Sequence, residues 1–516
     1  MRRRGNLNNG ANYGPRYVNA NNAPSNANWN YGAALIPTSH NPSGLSHILV
    51  HCFSGVSAEI KIPSDWIGLV DHESKAAALP APEYGSRRDE KSMRRVANIW
   101  DSFCSVETAV EAIYRGTENK RSDRVVVRIF GYPRHPDRTG QLDPAKVHHY
   151  ADRLVAELSE GRWRHLPGKK RHIVSNGKSR DIEIARLRDH IVQWMAMLAV
   201  EKHLTARMYR YCVGNMPRRG IEDARRNVER WARSGDCKYF VKLDIRHFYQ
   251  TVKLDKLSAM MHDTIKDRRF MAVMDQIIYS SAEPGAEVPA GLAIGYYSSP
   301  WLANFYLGPL DRYITDQLVK ARRGKRIRIV KHYLRYVDDL LLQGNSKTDL
   351  KRAVKKIMQF AGRELGLEIK ACWEICEVGE LLPPDGSGRM KLKPGTKRID
   401  IVGYCFTRTN TTVRARNFLR VRRLLRLIVR RLTRERRMTL RSAQAAVSRL
   451  GWFSHADSRF FLQKYVQPFI DVGFMKEVIS YASKNGIVRE AAGVYCRPVN
   501  GKGGYHILHE RGAAAA

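Results

Sequence analysis

Two short acid-bearing segments constrain this chain more than anything else in it. The first, VKLDIRHFYQTV, places Asp244 at the end of an apolar, β-branched run that predicts a central strand. The second, YLRYVDDLLLQG, sets Asp338 and Asp339 between two apolar runs, the pattern of a hairpin tip. Acids flanked by core-type residues are costly unless a cation neutralises them. Phosphoryl transfer needs such an arrangement, because two Mg2+ ions about 3.5–4 Å apart activate the attacking hydroxyl and stabilise the leaving phosphate. Mg2+ favours a few carboxylates plus substrate phosphates over a closed protein cage. An isolated Asp-Asp pair is more often an exposed turn. Two such segments in one chain, about ninety residues apart, point instead to a metal-dependent site.

The charge balance names the partner. Across 516 residues, 89 Lys and Arg stand against 50 Asp and Glu, a formal charge of +39. Such an excess calls for a polyanion, with nucleic acid first and an anionic membrane surface as the remote rival. No apolar run approaches the ~20 residues of a spanning helix, so no membrane partner is expected. Eight cysteines without a CxxC pair argue against a zinc finger or a disulfide framework and fit a reducing cytosol. The basic residues concentrate at 414–437, where Phe418, Val421, Leu425, Ile428 and Leu432 recur at helical spacing. One face of that helix is apolar and the rest is guanidinium. Arg420, Arg423, Arg426, Arg430, Arg434 and Arg437 are therefore expected to line a nucleic-acid groove.

Composition divides the rest. Residues 1–45 are Asn-rich and hold no Asp or Glu, so an irregular segment is expected there, followed by a weakly structured leader over 46–92. From about Met93 helical spacing appears, at Ile99, Phe103, Val106, Val110 and Ile113. Strands and helices then alternate to about residue 410, as in an α+β domain. VVVRI and FVKLDI read as strands and IVQWMAMLAVEKHL as a helix.

Taken in order, SRDIEIARLRDHIVQ, YCVGNMPRRGIEDA, KLDIRHFY, GLAIGYYSSPWLANFYLGPLD, YVDD, LGLEIK and IDIVGYCF resemble the successive blocks of a bacterial, group II intron-like reverse transcriptase. The resemblance covers residues 93–470. It implies a right-hand polymerase: N-terminal helices and fingers over 93–240, a palm with an antiparallel sheet over 241–410, an all-helical thumb over 411–470 and a tail over 471–516. It implies that Asp244 and Asp338 hold two Mg2+ ions, with Mn2+ as a substitute, that Asp339 supports them and that the Ile245 carbonyl joins the coordination. It places Tyr249 under the sugar of the incoming dNTP, where a ribose 2′-hydroxyl would clash. Lys178 and Arg180 fall where fingers residues grip the triphosphate, and Lys370 where a late-palm lysine gives a proton to pyrophosphate.

The subfamily turns on Ile294 and Gly295. Many reverse transcriptases carry Gln before this Gly, whereas those of diversity-generating retroelements carry an aliphatic residue and are linked to errors at template adenines. Ile294 matches that replacement, and the Ser299-Pro300 that follows departs from the subfamily's usual Ser-Gln. The Asn-rich start resembles the variable segment of C-type-lectin-like targets, so residues 1–45 are expected to be template repeat read in frame, with a native start near Met93. The resemblance implies a bacterial or phage-encoded cytoplasmic enzyme that binds template RNA, the cDNA/RNA hybrid and dNTPs, together with a small basic helical accessory protein, a pentamer. It leaves two alternatives: a defence-associated, abortive-infection-type reverse transcriptase, and a maturase-like RNA-binding protein.

Overall fold

The computed structural model describes residues 95–120, 123–131, 142–175, 178–283, 285–384, 390–435, 438–467 and 472–484, with strands also at 35–37, 47–51, 57–61, 494–499 and 504–509. Residues 24–94 form a separate unit. It contains β1 (Leu35–Pro37), β2 (His47–His51) and β3 (Ser57–Lys61), paired antiparallel in that order. Strands thus occur where composition alone predicts irregular or weakly structured chain. Apolar residues such as Ile36, Leu49 and Ile60 supply the β-preference that the Asn and Pro content conceals.

In the larger unit, the N-terminal helices Val106–Thr117, Pro144–Ser159 and Leu187–Arg207 enclose the main core. The middle of the third, Ile191–Met197, is buried on every side, which is why that stretch is apolar apart from Gln193, whereas Val200 and Leu204 continue a single buried face. The segment VVVRI, which propensity assigns to a strand, is helical over Arg124–Phe130. The Asp123 side chain accepts from the Val125 amide and starts the helix. Burial of Val126 and Phe130, with Phe130 edge-on to Tyr150, then outweighs the β-branched preference.

A fingers hairpin follows, β4 (Lys169–Ser175) against β5 (Lys178–Ile184). The palm sheet then assembles from distant pieces. β6 (Tyr239–Asp244) is central; after the small hairpin β7 (Val319–Arg322) and β8 (Lys325–Arg328) come β9 (His332–Tyr336) and β10 (Asp339–Gly344), then β11 (Ile375–Val378) and β12 (Thr396–Lys397). Their order is β12-β11-β6-β10-β9. One face carries Val241, Leu243, Leu340 and Leu342 into the main core. The other carries Phe240, Leu334 and Leu341 against Trp231 and against a second sheet, β13 (Ile399–Ile401), β14 (Tyr404–Phe406) and β15 (Thr411–Val413).

The thumb begins with the 21-residue helix Ala415–Glu435, whose Val421, Leu425 and Ile428 are buried as their spacing predicts. They pack with Leu440, Ala443 and Phe453 and with Phe474, Met475 and Val478 of the helix Val472–Lys484. The thumb cluster therefore runs past residue 470 into the stretch read as tail. Its base is tied to β13–β15 at several points. The Tyr404 hydroxyl donates to the Trp452 carbonyl (3.2 Å), and the Thr411 amide donates to Asp457 Oδ2 (2.7 Å) while the Asp457 amide donates back to the Thr411 carbonyl (2.7 Å). Gly403 lies so close to the Trp452 ring that a Cβ there would stand 2.4 Å from it. The last described strands, β16 (Val494–Val499) and β17 (Gly504–His509), form an antiparallel hairpin. Among the described residues no helix is long and apolar enough to cross a membrane.

Candidate active site

The pairing of β10 with β6 sets Asp339 directly opposite Asp244. Tyr336 faces Asp339 from β9, so Val337 and Asp338 are the two residues of a tight hairpin turn. All three carboxylates come to one end of the palm sheet, and Asp244 and Asp339 share the face that looks towards β13–β15. The Ile245 amide donates to the Asp338 carbonyl across 3.4 Å, which brings the start of the next segment to the turn.

Burial pushes the Asp338 carboxyl up to about 6, with Asp339 and Asp244 adding to the rise and Lys370 opposing it. Asp339 is raised by burial as well, against the pull of Lys242. The site thus holds more negative charge than its surroundings solvate. The Lys370 ammonium sits 2.8 Å from Asp244 Oδ1, and this hydrogen bond raises its own pKa. Two half-buried carboxylates and a backbone carbonyl form a set of hard oxygen donors, which suits Mg2+. The three aspartates do not close a cage. Among the described residues the only group of three such side chains with ligand atoms within 4.8 Å of one another is Asp236, Cys237 and His332, at the other end of the sheet. An open set is what a metal shared with substrate phosphates requires.

The turn itself is strained. Val337 adopts φ 57°, which a β-branched residue rarely does. Its position is held from two sides. Gly214 approaches so closely that a Cβ there would lie 2.6 Å from the Val337 side chain. Beneath, the fully buried Arg335 donates to the Val337 carbonyl (3.1 Å), to Asn304 Oδ1 (2.8 Å) and to both oxygens of Asp311 (2.8 and 2.7 Å). Burial alone would lower the Arg335 pKa, and the adjoining Asp311 more than offsets it, so the guanidinium stays charged. Sequence reasoning passed over this pair; the signal was an Arg set among the apolar residues of YLRYV.

The other expected residues sit as follows. Tyr249 is half-buried at the core edge, its pKa raised by burial and then by the charge of Asp338. Its carbonyl accepts from the Leu292 amide (2.7 Å), tying it to the loop that carries Ile294 and Gly295. The Glu183 amide of β5 donates to the Ile294 carbonyl (2.8 Å). Gly295, at φ 120°, leaves no room for a side chain, since a Cβ would stand 2.5 Å from the Glu183 carbonyl. Glu183 Oε1 also accepts from the Tyr296 hydroxyl (2.5 Å) and the Gly168 amide (2.9 Å), a clamp that the sequence did not single out. Arg180 lies on the same strand, half-buried, facing Ile173 of β4. Lys178 pairs with Ser175 through the backbone, and its side chain lies outside the described residues. On the thumb helix Arg423, Arg426 and Arg430 are exposed and Arg420 is half-exposed. The Arg434 side chain and Arg437 lie outside the described residues.

A palm sheet that is antiparallel except where β12 pairs parallel with β11, with two segments of acids at one end, fingers before it and a helical thumb after it, has the arrangement of a right-hand nucleotidyltransferase. Residues 168–372 match the family Reverse transcriptase (RNA-dependent DNA polymerase). The chain is 28% identical over 187 residues to Protein YkfC of Escherichia coli K12, a match covering 33% of this chain and 47% of that protein. It is 24% identical over 190 residues to the group II intron-encoded protein LtrA of Lactococcus lactis subsp. cremoris, covering 35% and 31%. With the Retron Ec73 reverse transcriptase of E. coli it shares 26% over 152 residues, covering 27% and 44%. The matched part spans less than half the length of each of these relatives. Among solved structures, telomerase from Candida tropicalis in complex with a fragment of telomeric RNA is similar at 11% identity and a TM-score of 0.38, covering 70% of this chain and 62% of that one. Residues 168–372 form a reverse transcriptase (RNA-dependent DNA polymerase) domain related to those of group II intron proteins and retrons.

Proposed function

We propose that the chain copies an RNA template into DNA, and that it serves a diversity-generating retroelement by copying a template repeat with errors at adenines. The observation that carries the polymerase reading is the register of β10 on β6, which sets Asp339 against Asp244 beside the Asp338 turn. Divalent cations bound there would activate the primer 3′-hydroxyl and neutralise charge on the transferring phosphate. Asp244, Asp338 and the Ile245 carbonyl are the ligands proposed for them. Lys370, whose ammonium lies 2.8 Å from Asp244 Oδ1, is the group proposed to give a proton to pyrophosphate. Tyr249 stands as the ring that selects dNTPs, and Arg180 and Lys178 as contacts to the triphosphate. Template RNA and the growing hybrid would pass the arginines of the helix Ala415–Glu435.

Ile294 supports the diversifying reading. Its carbonyl is fixed by Glu183 while its side chain is half-buried, so an aliphatic group stands where a Gln could hydrogen-bond to template or nucleotide. The accessory pentamer, the template-repeat RNA and the bacterial or phage cytoplasm belong to this same proposal. Ser299-Pro300 is the feature that favours the defence alternative. Both residues lie in the first turn of the helix Ser299–Tyr306, where Pro is well tolerated because its missing N–H is not needed.

The test is RNA-templated dNTP incorporation by the purified chain, with sequencing of the cDNA and Asp338→Ala as control. Synthesis by the wild type alone, with errors concentrated at template adenines and reduced there by Ile294→Gln, is the expected result. Equal error rates in the two proteins overturn the diversifying reading. Equal synthesis with Asp338→Ala overturns the site.

A further inference from the structure

The hairpin β7–β8 is the most concentrated patch of unpaired charge on the palm. Arg322, Arg323, Lys325, Arg326 and Arg328 fall within seven residues that contain no acid. Among the described residues the ribbon joins no other strand, and it turns tightly through Arg323 (φ 50°) and Gly324 (φ 72°). Its register sets Arg322 directly opposite Lys325. Like charges facing each other across a ribbon destabilise it, and a two-stranded hairpin is marginal to begin with. Among the described residues acids serve only the base: Asp349 pairs with Lys320, and Asp236 pairs with Lys331 at 3.0 Å. The five tip cations have no hydrogen-bond or ion-pair partner among the described residues.

The hairpin's place in the fold separates it from the catalytic cleft. It enters the sheet through His332, the first residue of β9, whereas the Asp338 turn follows the last residue, Tyr336. Five residues of strand put about 17 Å between the hairpin's base and the carboxylates. The tip therefore cannot hold the dNTP or the primer end. From Asp349 the basic surface continues onto the helix Lys347–Leu365, where Lys351, Arg352, Lys355 and Lys356 are exposed. A membrane surface would ask for apolar side chains beside the cations, and Ile327 is the one exposed large apolar residue of the ribbon. Density of charge without apolar area suits a sugar–phosphate backbone.

We infer that the β7–β8 hairpin is a second nucleic-acid contact, which grips the phosphate backbone of template RNA outside the catalytic cleft. The inference rests on the polymerase reading for the identity of the RNA. It makes the palm bind RNA on two sides: hybrid in the cleft, and flanking, folded RNA at the far end of the sheet. A chain so equipped selects templates long enough to reach both.

The experiment compares the full chain with a variant carrying Arg322→Ala, Arg323→Ala, Arg326→Ala and Arg328→Ala, and with a second that has Lys at the same four positions. Two probes are used: a long folded RNA carrying template and flanks, and a short RNA–DNA primer–template that fills only the cleft. The expected result is an about ten- to hundredfold weaker affinity of the Ala variant for the long RNA, with a salt dependence shallower by about three counterions. The Lys variant should bind nearly as the wild type does, and synthesis on the short primer–template should be unchanged in all three. Unchanged affinity and salt slope in the Ala variant overturn the inference, as does equal loss on both probes or in the Lys variant. Tighter binding of the wild type to phosphatidylserine vesicles than to the long RNA also overturns it. Failure of the polymerase reading is distinguishable: the wild type would then make no DNA while the hairpin variants still differed in RNA binding.

Discussion

Replacing Arg335 by Met keeps most of the side-chain volume and removes the guanidinium's hydrogen bonds to the Val337 carbonyl, Asn304 and Asp311 under the Val337–Asp338 turn. Asp311, 1% exposed, would be left with the Tyr333 hydroxyl at 2.7 Å as its remaining side-chain donor. Breaking a buried ion pair from one side costs about 3–5 kcal/mol. The Val337 carbonyl would lose its anchor as well, and a strained backbone position of this kind stores about 1–3 kcal/mol that its surroundings must hold in place. If the turn relaxes by about 1 Å, a loss near a hundredfold in rate is expected. Stability and rate can be separated by adding Asp311→Leu. The double variant buries no orphan charge, so most of the stability should return, while the Val337 carbonyl still has no donor and the rate should stay low. Urea unfolding gives the first quantity, and primer extension across a Mg2+ titration gives the second. Recovery of rate together with stability would refute the claim that the guanidinium positions the turn. A loss in the single variant below about 1 kcal/mol would refute the buried-pair argument itself.

Two further outcomes follow from local geometry and burial. Gly295→Ala would force its Cβ against the Glu183 carbonyl at φ 120°, so dNTP incorporation should fall at least tenfold with little change in unfolding midpoint; wild-type incorporation would mean that the loop is not held as described. His190 is buried, donates from Nε2 to the Gly116 carbonyl, and is held down to about 3 by burial and the nearby Lys120. Its stabilising effect is therefore complete above the ordinary histidine pKa and is lost as pH falls from about 6.5 towards 3, by about 2 kcal/mol at pH 5. Denaturant unfolding of wild type and His190→Gln across that range should show a steeper acid loss in the wild type, and parallel curves would contradict the assignment.

The sequence carried the site further than it carried the framework around it. Asp244, Asp338 and Asp339 could be read because apolar runs flank them, and both the strand β6 and the hairpin tip formed where those runs predict. The thumb helix was equally legible, since Val421, Leu425 and Ile428 bury at their helical spacing. VVVRI misled because propensity is local, and the burial of Val126 and Phe130 is decided by helices elsewhere in the chain. The supports of the site were hidden for a related reason. Arg335 finds Asp311, and Tyr296 finds Glu183 113 residues earlier, only once the fold has brought them together. A single chain shows an Arg and an acid; it does not show that they share a cavity.

The joint between β13–β15 and the thumb has a mechanical consequence. Trp452, seated on Gly403, and the reciprocal bonds between Thr411 and Asp457 act as rivets, so the helical bundle has a fixed pivot rather than a loose tether. The helix Ala415–Glu435 is then a lever about 31 Å long, and a tilt of about 5° at the pivot carries its far end about 3 Å. On the proposed reading, in which a duplex lies along this helix, small adjustments at the rivets produce a shift of the size of one base-pair step.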